Sequence, residues 1–384
     1  MTGRILIHVQ HLLGTGHLRR AAAIGAALAE SGFEVEIASG GPPISNLGTG
    51  RARLLQLPPL RTADLSFQNL IDEHGRPVDD TWRAARRDML LQRLAAFRPD
   101  VLITELFPFG RRALEFELLP LLETATAARP RPLIVCSLRD VLVAPSDPAK
   151  SARAIARARS WYDRILVHGD PSLIDLPASY PTAREVGERL VYTGYIASDP
   201  GPDAPAGHGE GEVIVSAGGA RVGTRVFEAA AAARAAGAAP GLTWRFLLGS
   251  DLPHDARQRF LSQTGAGMIV EPARADFQAL LRRCNISVSQ AGYNTVMDLV
   301  AAGTRAVVIP FAGGGETEQA QRAHALAARG WVEVVPEERL EPRHLAAAIE
   351  RALTQAPPQR RLDCDGARET ARCLKRLLDA RVHA

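Results

Sequence analysis

The sequence predicts an α/β protein of two doubly wound, Rossmann-like domains whose parallel sheets face each other across a cleft. Three observations lead there. Short β-branched runs alternate with alanine- and leucine-rich segments through all 384 residues. The runs are apolar nearly throughout, as strands covered on both faces are. One stretch, "SDPGPDAPAGHGEGE" at 198–212, is dense in Pro and Gly, has no period and cannot form a core. It divides a chain already too long for one ordinary core.

The first domain is expected over 1–198 and the second over 199–384. In the first, strands are predicted at "ILIHV" (5–9), "VEIA" (35–38), "VLIT" (101–104), "LIVC" (133–136) and "RILV" (164–167). Helical patterns between them include 18–31 and 81–97. In the second, strands are predicted at "VIVS" (213–216), "WRFLL" (244–248), "MIV" (268–270), "ISVS" (286–289), "AVVI" (306–309) and "VEVV" (332–335). The segment 366–382 reads as a last amphipathic helix that could pack back on the first domain. In doubly wound folds ligands bind at the carboxyl ends of the strands.

Apolar residues make up 46% and charged residues 23%, which is the globular range. No run is long enough to span a bilayer and no signal peptide is visible, so a cytoplasmic protein is expected. Cys136, Cys284, Cys364 and Cys373 form no CxxC pair, which argues for reduced structural thiols and against zinc. The net charge is +4 and, with only Lys150 and Lys375 as lysines, nearly all the positive charge is arginine. This basicity permits an anionic partner without indicating nucleic acid. Aromatics, at 5%, are too few for stacking platforms. Helix 81–97 carries Arg83, Arg86, Arg87 and Arg93. It could lie against the inner membrane face as a peripheral contact, or simply present a solvated face.

The most informative stretch is "SQAGYNTVMD" (289–298), where a buried strand ends in a glycine turn and a helix starts at once. Helix N-termini attract phosphate oxygens, and Gly292 would let a ligand approach the backbone closely. Gln290 precedes the turn, Asn294 and Thr295 could donate to phosphate, and Asp298 could accept from ribose hydroxyls. The plainer alternative is that Asn294 caps the helix and Asp298 favours its dipole. A second strand-to-helix turn follows, with a glycine triplet centred on Gly314 and then Glu318 and Gln319, suited to sugar hydroxyls.

The combination "GYNTVMDLVAAGTRAVVIPF…ETEQ" resembles the donor-nucleotide signature of GT-B glycosyltransferases. It is most similar to the family-28 group, which includes the N-acetylglucosaminyltransferase of peptidoglycan synthesis. The resemblance places Gly292, Thr295 and Asp298 on a Gly-x-x-Thr-x-x-Glu pattern that holds ribose, with Asp for Glu. It places Glu318 and Gln319 at the donor sugar. It also implies a glycine loop on the donor diphosphate at "SAGGARVG" (216–223), with Ser216, Gly218 and Gly219 as candidates. In "VEPARADF" (270–277), Arg274 is the candidate near the nucleotide base.

In the first domain "QHLLGTGHLRRA" (10–21) follows the first strand. Gly14 and Gly16 match only part of a dinucleotide fingerprint, since Arg19 stands at the third glycine position, and an oxidoreductase is rejected. In GT-B relatives a glycine loop lies here, and His17 could act as base; a surface cap is the ordinary fate of such a histidine. His8 and His11 are weaker candidates. Glu105 and Asp140, at later strand ends, could orient His17 or hold acceptor hydroxyls, and Arg139 could meet an anionic acceptor or phosphate.

These features lead to an expected metal-independent, inverting hexosyltransferase. It would need no cofactor, would take a UDP-sugar as donor, and would act on a small-molecule or lipid-linked acceptor. The rival is a UDP-sugar hydrolase, because the GxGHxxR form with His17 and Arg20 also resembles the hydrolases of nonulosonic acid synthesis. A non-hydrolysing epimerase and a non-catalytic nucleotide-sugar binder are more remote.

Overall fold

A computed structural model of the chain describes residues 3–12, 15–44, 47–63, 69–197, 201–217, 223–249, 252–265, 267–313, 317–357 and 362–382. The chain divides into two compact units, one of Met1–Ile196 with Asp365–Ala384 and the other of Ala197–Cys364.

The first unit runs β1 (Arg4–Val9), α1 (Gly16–Glu30), β2 (Glu34–Ser39), β3 (Arg53–Gln56), β4 (Arg61–Thr62), β5 (Leu70–Ile71), α2 (Asp80–Phe97), β6 (Val101–Glu105), α3 (Glu115–Ala127), β7 (Leu133–Arg139), α4 (Pro148–Trp161), β8 (Arg164–His168), α5 (Leu176–Ser179) and β9 (Leu190–Tyr192). Its main sheet has the order β3-β2-β1-β6-β7-β8-β9, parallel throughout. The β-branched strands are buried on both faces, and alternate residues enter different cores. Leu6, Leu102, Ile134 and Ile165 join one cluster with residues of α2, α3 and α4. Ile5, Ile7, Ile103, Val135 and Leu166 join the other with residues of α1. α2 and α4 start where Asp79 and Asp147 accept from Trp82 N and Ala149 N, so side chains close both helix ends.

The second unit runs β10 (Glu212–Ser216), α6 (Thr224–Ala235), β11 (Thr243–Leu248), α7 (His254–Leu261), β12 (Met268–Pro272), α8 (Phe277–Arg283), β13 (Ile286–Gln290), α9 (Tyr293–Ala302), β14 (Ala306–Ile309), α10 (Glu318–Ala327), β15 (Glu333–Val334) and α11 (Pro342–Thr354). Its sheet order is β12-β11-β10-β13-β14-β15, again parallel. Gly303, in the left-handed region at φ 67°, ends α9, a conformation that costs any residue with a Cβ.

The last helix, α12 (Gly366–Val382), belongs to the first unit. Ala371, Cys373 and Leu374 enter the same cluster as Ile5 and α1. The second unit therefore ends at Cys364 and not at the chain terminus expected for it.

The arginines of α2 each meet a carboxylate. Arg86 is fully buried on Glu117, with Nε 2.6 Å from Oε2, and Arg93 bonds to Glu36. Arg83 and Arg87 pair with Asp80 and Asp88. The expected choice between a membrane face and a solvated face thus omits a third use. Arg86 is a core residue, which also donates to the carbonyls of Gly40 and Pro58. Among the described residues no helix is long and apolar enough to cross a membrane.

Candidate functional site

In the first unit the strand order turns at β1 and β6, the switch point where doubly wound sheets place their sites. His17 opens α1 directly after β1, and Glu105 is the last residue of β6. His17 Nδ1 lies 2.7 Å from Glu105 Oε1. One helical turn on, Arg20 Nη2 lies 2.5 Å from the same oxygen and 3.4 Å from His17 Nδ1. The three-residue spacing puts His17 and Arg20 on one helix face, and β6 supplies the carboxylate between them.

The His17 side chain keeps 16% of its surface exposed while that of Glu105 keeps 2%, so the imidazole is the member of the pair that solvent or ligand can reach. With Nδ1–H donating to Glu105, Nε2 carries the lone pair. Burial pulls the His17 pKa down to about 3; Glu105 opposes this, and Arg111 and Arg139 add to it. Burial would raise Glu105, but His17, Arg20 and Arg111 hold it well below the usual carboxylate range. The result is a neutral imidazole oriented by an anionic carboxylate, which is the protonation state and orientation, though not the pKa, of an efficient general base.

Arg111 was not singled out by the sequence. It follows β6 in a loop where Leu106 and Arg111 both take positive φ, 69° and 58°. Its Nη2 stands 3.8 Å from Glu105 Oε2. Asp140 is fully buried and packs at Gly169, where an added Cβ would come 2.7 Å from Asp140 Cβ. His8 bonds to Glu117 at 3.0 Å inside the Arg86 network, a structural position. His11 packs its ring against Gly41. Gly16 starts α1, and Gly14 lies outside the described residues.

In the second unit β10, β13 and β14 are adjacent, and each leads into a helix: α6, α9 and α10. None of the three helices has a side-chain hydrogen bond at its N-cap. For α9 the N-cap is Gly292, at φ −63°, and Asn294 lies inside the first turn. The cap role considered for Asn294 is therefore not the one it occupies. A Cβ added at Gly292 meets nothing within 4 Å, so the backbone here is open to approach.

Beneath these helix starts the hydroxyls of Ser216, Ser287 and Ser289 are linked, Ser216 to Ser289 at 3.0 Å and Ser287 to Ser289 at 2.7 Å. Thr295 and Asp298 are buried, and Asp298 Oδ1 accepts from Gln278 Nε2 at 2.8 Å. Gln290, at the end of β13, is also buried. Glu318 bonds to the fully buried Arg322 at 2.7 Å, whose guanidinium lies over the Tyr293 ring. Gln319 Oε1 accepts from Phe311 N at 3.1 Å, tying the loop after β14 to α10. Arg274 is held by Asp276, 2.6 Å away, and by Glu271. Its guanidinium braces the turn after β12, a competing duty that sequence could not display. Gly218, Gly219 and Gly314 lie outside the described residues. Gln278, Tyr293 and Arg322 were missed because each gains its place through a neighbouring helix, not through local spacing.

Residues 226–376 match the glycosyltransferase family 28 C-terminal domain. The match runs from within α6 through α11 to the first part of α12. Two curated relatives are both described as "UDP-N-acetylglucosamine--N-acetylmuramyl-(pentapeptide) pyrophosphoryl-undecaprenol N-acetylglucosamine transferase". The one from Mesorhizobium japonicum is 33% identical over 85 residues, which is 22% of this chain and 23% of the relative. That from Rhodospirillum centenum is 29% identical over 94 residues, 24% and 25% of the two chains. The match thus spans about a quarter of these relatives. Among solved structures, the glycotransferase of kitacinnamycin superposes with a TM-score of 0.63 at 18% identity, covering 100% of this chain and 99% of the other. Acinetobacter baumannii MurG gives 0.59 at 12% identity, covering 98% and 99%. The fold is GT-B, and the chain is family-28-like.

Proposed function

We propose that this chain is a glycosyltransferase that moves a hexosyl group from a nucleotide sugar, a UDP-sugar, to an acceptor hydroxyl with inversion. The observation that carries the reading is the row of helix starts without side-chain caps after β10, β13 and β14. Backbone N–H groups and the positive ends of the helix dipoles suit a diphosphate, both bound and as a leaving group. The open backbone at Gly292 admits it. Gln290, Asn294, Thr295 and Ser216, with Gly218, Gly219 and Gly314, are the proposed diphosphate contacts. Asp298 is proposed for the ribose, and Glu318 and Gln319 for the sugar.

His17 is the proposed base. Its Nε2 takes the proton of the acceptor hydroxyl while the oxygen bonds to the anomeric carbon. The bond from that carbon to the diphosphate breaks, and both electrons leave with the nucleotide. Glu105 steadies the imidazole and offsets the charge it gains. General-base assistance contributes about 10²–10⁴-fold. The names of the curated relatives, with a UDP-sugar donor and a pyrophosphoryl-undecaprenol acceptor, support the donor class and a lipid-linked acceptor. A structural neighbour is described as a rhamnosyltransferase complexed with thymidine diphosphate, which makes dTDP-sugars the donors to compare.

The test is nucleotide release from a panel of UDP- and dTDP-sugars, with and without candidate acceptors. Release that requires an acceptor and yields a coupled product is expected. Release needing only water would replace the transferase with the hydrolase.

A further inference from the structure

The cluster around Glu105 has more positive charge than the pairing of His17 needs. Arg20 and Arg111 both stand at Glu105, Nη2 of the first 2.5 Å from Oε1 and Nη2 of the second 3.8 Å from Oε2, and Arg139 adds positive charge near His17 and Arg111. The geometry shows where the surplus falls. Glu105 Oε1 serves both His17 and Arg20. Among the described residues Glu105 Oε2 has no hydrogen-bond partner, and neither do Nε and Nη2 of Arg111, although Nη2 faces that oxygen as an ion pair at 3.8 Å; all three atoms are buried. The Arg111 side chain is only 10% exposed. A buried guanidinium with two unmet donors is costly, and its planar fork matches a phosphate or carboxylate.

The loop that delivers Arg111 is itself held in an unfavourable backbone conformation, with φ 69° at Leu106 and 58° at Arg111. Such strain persists where surrounding structure enforces it, and it gathers at ligand clamps. Burial and the neighbouring Arg139 and Arg20 depress the Arg111 pKa, against the opposing pull of Glu105.

We propose that Arg111 binds an oxyanion, a phosphate or carboxylate, carried by the acceptor, and so makes the enzyme selective for anionic acceptors presented beside His17. This rests on the glycosyltransferase reading for the word acceptor, but the anion site stands or falls separately. Arg111 acts as a specificity residue; it takes no part in bond making.

The test uses the full chain with ¹⁵N-labelled histidine, following the His17 ring signals while inorganic phosphate is added at constant ionic strength. The titration is run with and without saturating UDP. Saturable shifts at His17 in both conditions are expected, with the phosphate Kd raised at least tenfold in Arg111→Gln and largely restored in Arg111→Lys. An unmoved His17 signal, or equal Kd values in the wild type and Arg111→Gln, would overturn the proposal. Loss of the phosphate effect once UDP is bound would overturn it too, because the anion would then be the donor's own. Circular dichroism of Arg111→Gln checks its folding; if it is misfolded, Arg111→Lys and Arg111→Met are compared instead. Failure of UDP to bind at all would count against the donor reading alone, leaving the phosphate titration to judge Arg111.

Discussion

Burial around the 2.7 Å contact between His17 Nδ1 and Glu105 Oε1 sets the acid–base behaviour of the site. An ordinary histidine base loses activity below pH ~6.5. Here burial and the nearby arginines lower the His17 pKa to about 3, so the acid limb of kcat/KM should lie well below pH 6. A limb at the ordinary value, read from a pH profile, would show that His17 is not the base. Arg111→Gln removes a neighbour that depresses His17, so the limb should move upward. The same shift affects stability. Unfolded His17 takes up a proton as pH falls through 6.5, whereas the folded group does so only near 3. The stability tied to its neutral form is therefore lost as pH drops through that window. Glu105 acts with the same sign: its contribution is present above its unfolded pKa and fades in more acid solution. His17→Ala should lower turnover by about 10²–10⁴-fold with UDP affinity unchanged, as measured by steady-state kinetics and calorimetry. Of the two carboxylates named from sequence as partners for His17, Glu105 ends β6 beside α1, and the two strand ends could be paired only by topology. Arg111 was hidden because its position depends on two positive-φ residues that no hydrophobic period announces.

At the scale of elements, α9 separates binding from stability. Gly292 has ordinary φ and open space where a Cβ would stand. Gly292→Ala should therefore change unfolding free energy by no more than ~0.5 kcal/mol. The same methyl should weaken UDP binding several-fold if the diphosphate takes the position proposed for it at this helix start. Equal UDP affinity, by calorimetry, would remove the diphosphate from this helix start. Gly303→Ala is the structural counterpart: the left-handed position should cost ~1–2 kcal/mol while UDP affinity holds. The strongly apolar strands were legible in order and nearly in length, because double-sided burial writes a continuous β-branched run. The strands β3 and β9 were not. "RLLQ" and "LVY" sit at the sheet edges, partly exposed, and their short mixed runs resemble loop. The α2 pattern was legible as a helix, yet the burial of Arg86 was not, since it is set by Glu117 on α3 across the layer.

At the scale of the whole molecule, the Pro/Gly stretch after Ile196 marked the first crossing between units, and composition alone revealed it. The return at Asp365 could be raised from sequence only as one possibility, because nothing in a single amphipathic helix states which core its apolar face will join. Ala371, Cys373 and Leu374 join the first unit's core, and a buried leucine alone is worth ~1.5–3 kcal/mol. A chain ending at Cys364 should thus lose protection of β1 and α1 in hydrogen exchange while strands β10 to β14 stay protected. Equal protection in both units would make α12 a dispensable appendage. The discontinuity also orders events during synthesis. On the ribosome, every residue of the inserted unit emerges before the last helix of the earlier one. The leading half must therefore wait, incompletely covered, until that helix has been made, which leaves its apolar surface open to a chaperone in the meantime.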